Sequence, residues 1–310
     1  MDRRQRPARL LGLAVLLLVA TAADAPQLPI REARWLKTPD LLADLTTQPA
    51  ECLAMPKDAA LRQSVETGRA LFRSPLMLGG QAARVGLSCS SCHRNGRSNP
   101  HFHFPGISGD PGTADVTASI MSSHRGDDIF NPKQIPDLGG EPAKLKISRD
   151  PTKRDLSVFI HGLITQEFDG AEPSPAALSS VAEYVRALKP AACPRNTSAP
   201  ISLAIRLSEV DSAVELAQKA YRSGDAATGR DLLGAARSTL GVIDERFQLA
   251  GLEGSRTELA SASETLFQLQ EVQSDRGWNQ WRHEWPQQKR RLLAAEPMSL
   301  FNPAVLRKLL

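Results

Sequence analysis

Of 310 residues only four are cysteine, and just two of those stand close together. So sparse a set excludes a disulfide-dense scaffold and leaves material for one cysteine-based centre. After about residue 20 the chain lacks any long apolar run, and a membrane span needs roughly 20 consecutive apolar residues. A charge excess is missing too. The formal net charge is +4, and setting aside Arg3, Arg4, Arg6 and Arg9 against Asp2 leaves about +1, which removes the electrostatic footprint of a nucleic-acid binder. There is also no glycine-rich nucleotide loop and no nucleophile elbow.

What is present begins at the N-terminus. Those four arginines, an apolar stretch from Leu10 to about Ala20 and small residues up to Ala25 have the pattern of a secretory signal peptide, assigned to residues 1–25. The apolar stretch is too short for an anchor, so the expectation is cleavage, a mature chain without a transmembrane span, and a periplasmic location.

Cys89-Ser90-Ser91-Cys92-His93 is a C-x-x-C-H string, the pattern for covalent attachment of a c-type haem. The spacing suits that chemistry: two thiols add across two vinyl groups, and the adjoining imidazole becomes the proximal iron ligand. A bare C-x-x-C also serves as a redox dithiol or as half a zinc site. The histidine directly after the second thiol, and an export signal leading to the compartment where such haems are attached, favour one covalent haem c on Cys89, Cys92 and His93. The remaining cysteines, Cys52 and Cys193, are far apart and neither precedes a histidine, so a second conventional haem of this kind is excluded. An oxidising compartment makes them a disulfide candidate, with two free thiols as the alternative.

Periodicity predicts an all-α fold: a cytochrome c-like haem domain followed by an α-helical hairpin array. An irregular extension covers 26–58. The haem domain spans 59–193, with helices around Leu61 to Phe72, Leu156 to Leu163 and Pro175 to Lys189, and a long stretch punctuated by glycine and proline between His93 and Asp155. Residues 194–200 read as a polar linker. The array, 201–310, carries apolar stripes on Leu203, Leu207, Val210, Val214, Ala217 and Tyr221, on Leu233, Ala236, Leu240, Ile243 and Phe247, and on Leu259, Ala262, Leu266 and Leu269. Turns are expected at Gly224 and between Gly251 and Gly254. Trp278, Trp281 and Trp285 share one face if the third helix continues to Pro286; they either bury the array against the haem domain or form a docking patch.

The sixth iron position decides between electron transfer and catalysis, since a strong ligand there blocks substrate. Met121 and His161 are the leading distal candidates, followed by His124, His101 and His103, with Met77 upstream, and an open site is a further option. Arg94, Arg97 and Arg125 are candidates for pairing with haem propionates.

Several strings around the motif resemble one family: GRALF at 68–72, GGQA at 79–82, GLSCSSCH at 86–93, FNPKQIPDL at 130–138 and FIHGLITQEFDG at 159–170. Together they resemble a haem domain of the bacterial diheme cytochrome c peroxidase and MauG-type family, over about residues 61–189. The resemblance implies a haem-packing role for the Ile135-Pro136-Asp137-Leu138 segment. Members of that family use two haems, whereas this chain has one motif, so the expectation turns from a self-sufficient peroxidase to a periplasmic cytochrome passing single electrons. Its expected partner is a periplasmic redox protein or dehydrogenase, and no nucleic acid. The alternatives are a peroxidase-like or oxidative-maturation enzyme with an external electron donor, and a haem-based sensor or assembly factor.

Overall fold

The computed structural model describes residues 28–117, 120–124 and 129–310. The signal-peptide segment 1–25 and Arg125 lie outside the described residues. From residue 28 the N-terminal segment is more ordered than its composition suggests. A 3-10 turn covers Arg31–Trp35, a short helix α1 covers Leu41–Thr46 with the Asp40 carboxylate accepting from the Ala43 N–H, and a strand β1 covers Thr47–Pro49. The irregular extension expected at 26–58 is corrected accordingly. Its order comes from pairing with distant backbone, such as Lys37 N–H to the His101 carbonyl at 2.9 Å, which hydrophobic periodicity cannot report.

Helix α2 (Ala59–Phe72) starts where the Asp58 carboxylate accepts from the Leu61 N–H at 2.8 Å. Three short helices follow, α3 (Pro75–Leu78), α4 (Gly80–Val85) and α5 (Cys89–Cys92). Loops then carry a two-stranded antiparallel ladder of β2 (Thr113–Ala114) and β3 (Lys133–Gln134). Helix α6 (Asp155–Gly162) runs on into a π-helical turn, Leu163–Glu167, and α7 (Pro175–Ala187) packs across α2. Gly68 makes that crossing possible: a Cβ there would stand 1.9 Å from the Ser180 carbonyl oxygen.

The expected linker is not a free tether. Strand β4 (Ser198–Pro200) pairs antiparallel with β1, Thr47 opposite Pro200, and the Ile201 N–H reaches the Thr46 carbonyl at 2.8 Å. Beyond it lie α8 (Leu203–Arg222), α9 (Ala226–Glu245), α10 (Glu253–Glu271), α11 (Asp275–Ala295) and α12 (Pro303–Leu306). Successive helices pack as neighbours, and Gly224 and Gly251, at φ +85° and +87°, turn the chain between them. Among the described residues the chain is thus mostly helical, with no barrel. None of the described helices is long and apolar enough to cross a membrane.

The two halves share one core. Val65, Leu71, Phe72, Val181, Tyr184 and Val185 from the first half form a continuous buried cluster with Leu203, Leu207, Val210, Val214, Leu233 and Leu240 from the second. Buried Arg246 ties α1 to the segment that follows α11, donating to the Leu45 carbonyl at 2.8 Å and the Leu300 carbonyl at 3.0 Å.

The tryptophan stripe belongs to a fourth helix of the array, since α10 stops at Glu271 and α11 passes through Pro286. All three rings are buried, so the docking reading is set aside. Their neighbours lie within the array: Trp281 stacks on Trp285 at 4.8 Å, Trp278 meets Tyr221, and Trp285 Nε1 donates to the Asp211 carboxylate at 2.6 Å. The stripe therefore closes α11 onto α8. Trp285→Phe, which keeps a ring and loses the N–H, is expected to lower stability by about 1.5–3 kcal/mol, the usual worth of a hydrogen bond to a charged group. Urea unfolding checks it, and Asp211→Asn should lower stability in the same direction.

Candidate functional site

The motif is held by its own turn. Ser88 caps α5 in a reciprocal box, its N–H donating to Ser91 Oγ at 3.1 Å, and the His93 N–H closes the turn on the Cys89 carbonyl at 2.9 Å. Asn99 Nδ2 then donates to the Ser91 carbonyl at 2.9 Å. Past His93 the chain reverses through Asn95 and Gly96, both at positive φ. A Cβ on Gly96 would stand 2.4 Å from Leu188 Cδ1, so the close approach of this turn to the end of α7 requires glycine.

Two apolar clusters meet at the thiols. Cys89 packs against the main core and, with Cys92, against a second cluster of Trp35, Leu78, Leu87, Phe102, Ile107, Met121, Ile135 and Phe168. Burial pushes both thiols up to about 12 and lowers His93 to about 4. Yet Cys89, Cys92 and His93 are all part-exposed, so they stand at the edge of these clusters rather than inside a core.

The imidazole has a defined tautomer. His93 Nδ1 lies 3.0 Å from the Pro136 carbonyl oxygen, which can only accept, so the ring proton is on Nδ1 and the Nε2 lone pair is free. Pro136 sits in the segment to which resemblance assigned a packing role. Ile135 does pack in the second cluster, and Pro136 contributes its carbonyl. The acidic neighbour is also engaged: Asp137 is gripped by Arg97, with Nε at 2.8 and 2.9 Å from its two oxygens and Nη2 at 2.7 Å.

Cys52 and Cys193 are joined in a disulfide, S–S 2.02 Å. It lies beside the motif, because Arg97 Nη1 donates to Cys52 Sγ at 3.1 Å.

The distal candidates separate sharply. Met121 is 2 % exposed and belongs to the cluster that packs on Cys89 and Cys92. Met77 is buried in the main core instead. His161 faces away, with Nε2 2.9 Å from both oxygens of exposed Glu172. His124 pairs with Asp169 at 2.8 Å and is 62 % exposed, and His101 pairs with Asp44 at 2.7 Å. His103 flanks Phe102, whose ring, rather than either histidine, enters the cluster. His161 and the surface histidines are therefore not brought to the thiols.

Two of the arginines considered for propionates are already engaged. Arg94 is buried against Glu32 at 3.0 Å and Asp44 at 3.7 Å, while Arg97 holds Asp137. That Trp35, Leu78, Leu87 and Phe168 join one cluster at the thiols escaped the sequence reading, since they come from separate segments with no shared period. No group of three or more His, Cys, Asp or Glu side chains among the described residues is placed to hold a metal ion. Comparison with family models, curated proteins and solved structures finds no match.

Proposed function

We propose that Cys89 and Cys92 carry one covalent c-type haem, with His93 as proximal ligand and Met121 as distal ligand, and that this periplasmic protein passes single electrons. The observation that carries the reading is the juxtaposition of a His93 ring protonated at Nδ1, hence with Nε2 free to ligate, and an apolar cluster that packs on both thiols and contains Met121. Thiols pushed up to about 12 do not suit dithiol redox chemistry, which needs them lowered. Bound there, the haem supplies a one-electron couple whose potential follows its axial ligands and the polarity around it.

The protein's own residues do the rest. Pro136 orients the imidazole, the apolar cluster packed on the thiols would keep water from the bound group, and Met121 would hold it as the second side-chain ligand. With a single motif, electrons arrive from and leave to a partner, a periplasmic redox protein or dehydrogenase. The haem half is read as a cytochrome c-like domain akin to one half of the diheme peroxidase and MauG-type proteins.

Expression with the machinery for covalent haem attachment, followed by pyridine-haemochrome and EPR spectra, tests the proposal. One covalent haem per chain with a low-spin ferric signal is expected. A high-spin iron that reacts rapidly with peroxide would move the assignment to the enzyme class.

A further inference from the structure

The geometry points to Arg97 as a positioning residue for His93: anchored at the Cys52–Cys193 disulfide, it fixes Asp137 and thereby the carbonyl of Pro136 that orients the imidazole. The reasoning starts from the peptide plane. The Pro136 carbonyl and the Asp137 N–H belong to one rigid planar unit, so whatever fixes Asp137 limits where that oxygen can point. Asp137 is fixed on two sides. Arg97 spans both of its carboxylate oxygens, and the same carboxylate accepts from the Gly139 N–H at 2.9 Å, bending the loop back on itself.

Arg97 is in turn held from behind. Its Nη1 contacts Cys52 Sγ at 3.1 Å and Cys193 Sγ at 3.8 Å. Cys52 is fully buried and tied to the end of α7, its carbonyl accepting from the Lys189 N–H at 2.8 Å. The fit is close, because a Cβ on Gly139 would stand 2.9 Å from Arg97 Cδ and 3.1 Å from Cys52 Cβ. A continuous path thus runs from the disulfide through Arg97, Asp137 and Pro136 to His93 Nδ1.

A hydrogen bond from Nδ1 to a fixed acceptor makes the ring a stronger donor through Nε2. A stronger donor favours ferric over ferrous iron, so loosening Arg97 should raise the reduction potential. This readout rests on the haem assignment, and the experiment keeps the two apart. Arg97→Lys retains the charge but cannot span both oxygens. The double variant Arg97→Met/Asp137→Asn removes the grip while leaving the net charge unchanged.

Haem content is measured first on the full-length protein, and absence of covalent haem overturns the functional reading alone. With haem present, redox titration of both variants is expected to shift the ferric–ferrous equilibrium about tenfold toward ferrous, about 59 mV for a one-electron couple. Exchange of the His93 Nδ1 proton, followed by 15N NMR, gives a readout that does not need the haem: slow in the parent chain, fast in both variants. Variants that melt earlier yet keep the parent potential and the parent exchange rate would overturn the inference and leave Arg97 a purely structural clamp.

Discussion

Met121→Leu is expected to convert a low-spin haem spectrum into a high-spin one while the fold survives. Leucine nearly conserves the side-chain volume, and such swaps in a core cost under about 1.5 kcal/mol, so the sulfur is the only large loss. Two further consequences follow from the chemistry. A thioether ligand raises the potential, so the variant should titrate lower than the parent, and an emptied sixth position should admit peroxide. His161→Ala is the matched control. Its ring is bound to Glu172 at the surface, so spectrum and potential should stay as in the parent. A low-spin Met121→Leu protein together with a high-spin His161→Ala protein would reverse the assignment of the distal ligand.

That contrast shows where the sequence was legible. Met121 and His161 are equal candidates from spacing, Met121 in the loop where mono-haem cytochromes commonly place a methionine and His161 where the resembled diheme family can place a distal ligand. What separates them is tertiary pairing that spacing does not report: the His161 ring is engaged by Glu172, whereas Met121 is buried in the apolar cluster that packs on the thiols. The main helices were readable because each buries a stripe, and Gly224 and Gly251 marked real turns. The Cys52–Cys193 pairing was readable from cysteine arithmetic together with the export pattern expected of the N-terminal sequence.

Other parts were hidden for a different reason. Trp35, which joins the cluster at the thiols, arrives from a segment without helical period, and its position depends on backbone bonds such as His103 N–H to the Trp35 carbonyl at 2.8 Å. The linker looked free because polar composition does not reveal a strand partner 150 residues upstream, as in Thr47 opposite Pro200. Helix α11 begins afresh at Asp275 and passes through Pro286, whereas the sequence carries a single third helix only as far as that proline. Burial of the three tryptophans around it supplies the packing that offsets a missing backbone bond.

The junction of the two halves offers the second large effect: Arg73→Met should destabilise the protein by about 3–5 kcal/mol at neutral pH, the usual result of stripping one partner from a buried ion pair. Arg73 is 14 % exposed and donates to Glu209 on α8 at 2.7 Å, to Glu51 at 3.3 Å and to Asn95 at 2.8 Å, two residues after His93. Tyr184 Oη donates to the same Glu51 oxygen at 2.7 Å. Burial alone would push the Glu209 carboxyl up; Arg73 and Arg206 overcome it and hold it below its ordinary 4.5. A carboxyl depressed in the folded state contributes stability that is present above its unfolded value and lost as pH falls through the folded one. Without Arg73, the cation that opposes burial most strongly, Glu209 should rise, and protonation then favours the folded chain. The gap between parent and variant in urea unfolding should therefore be widest near pH 7 and narrow below about pH 4.5. An equal gap at pH 7 and pH 4 would mean that Arg73 acts through packing of its stem instead of its charge. Because Asn95 shares that guanidinium, the variant should also loosen the turn that follows His93, which links the integrity of the array to the site it adjoins.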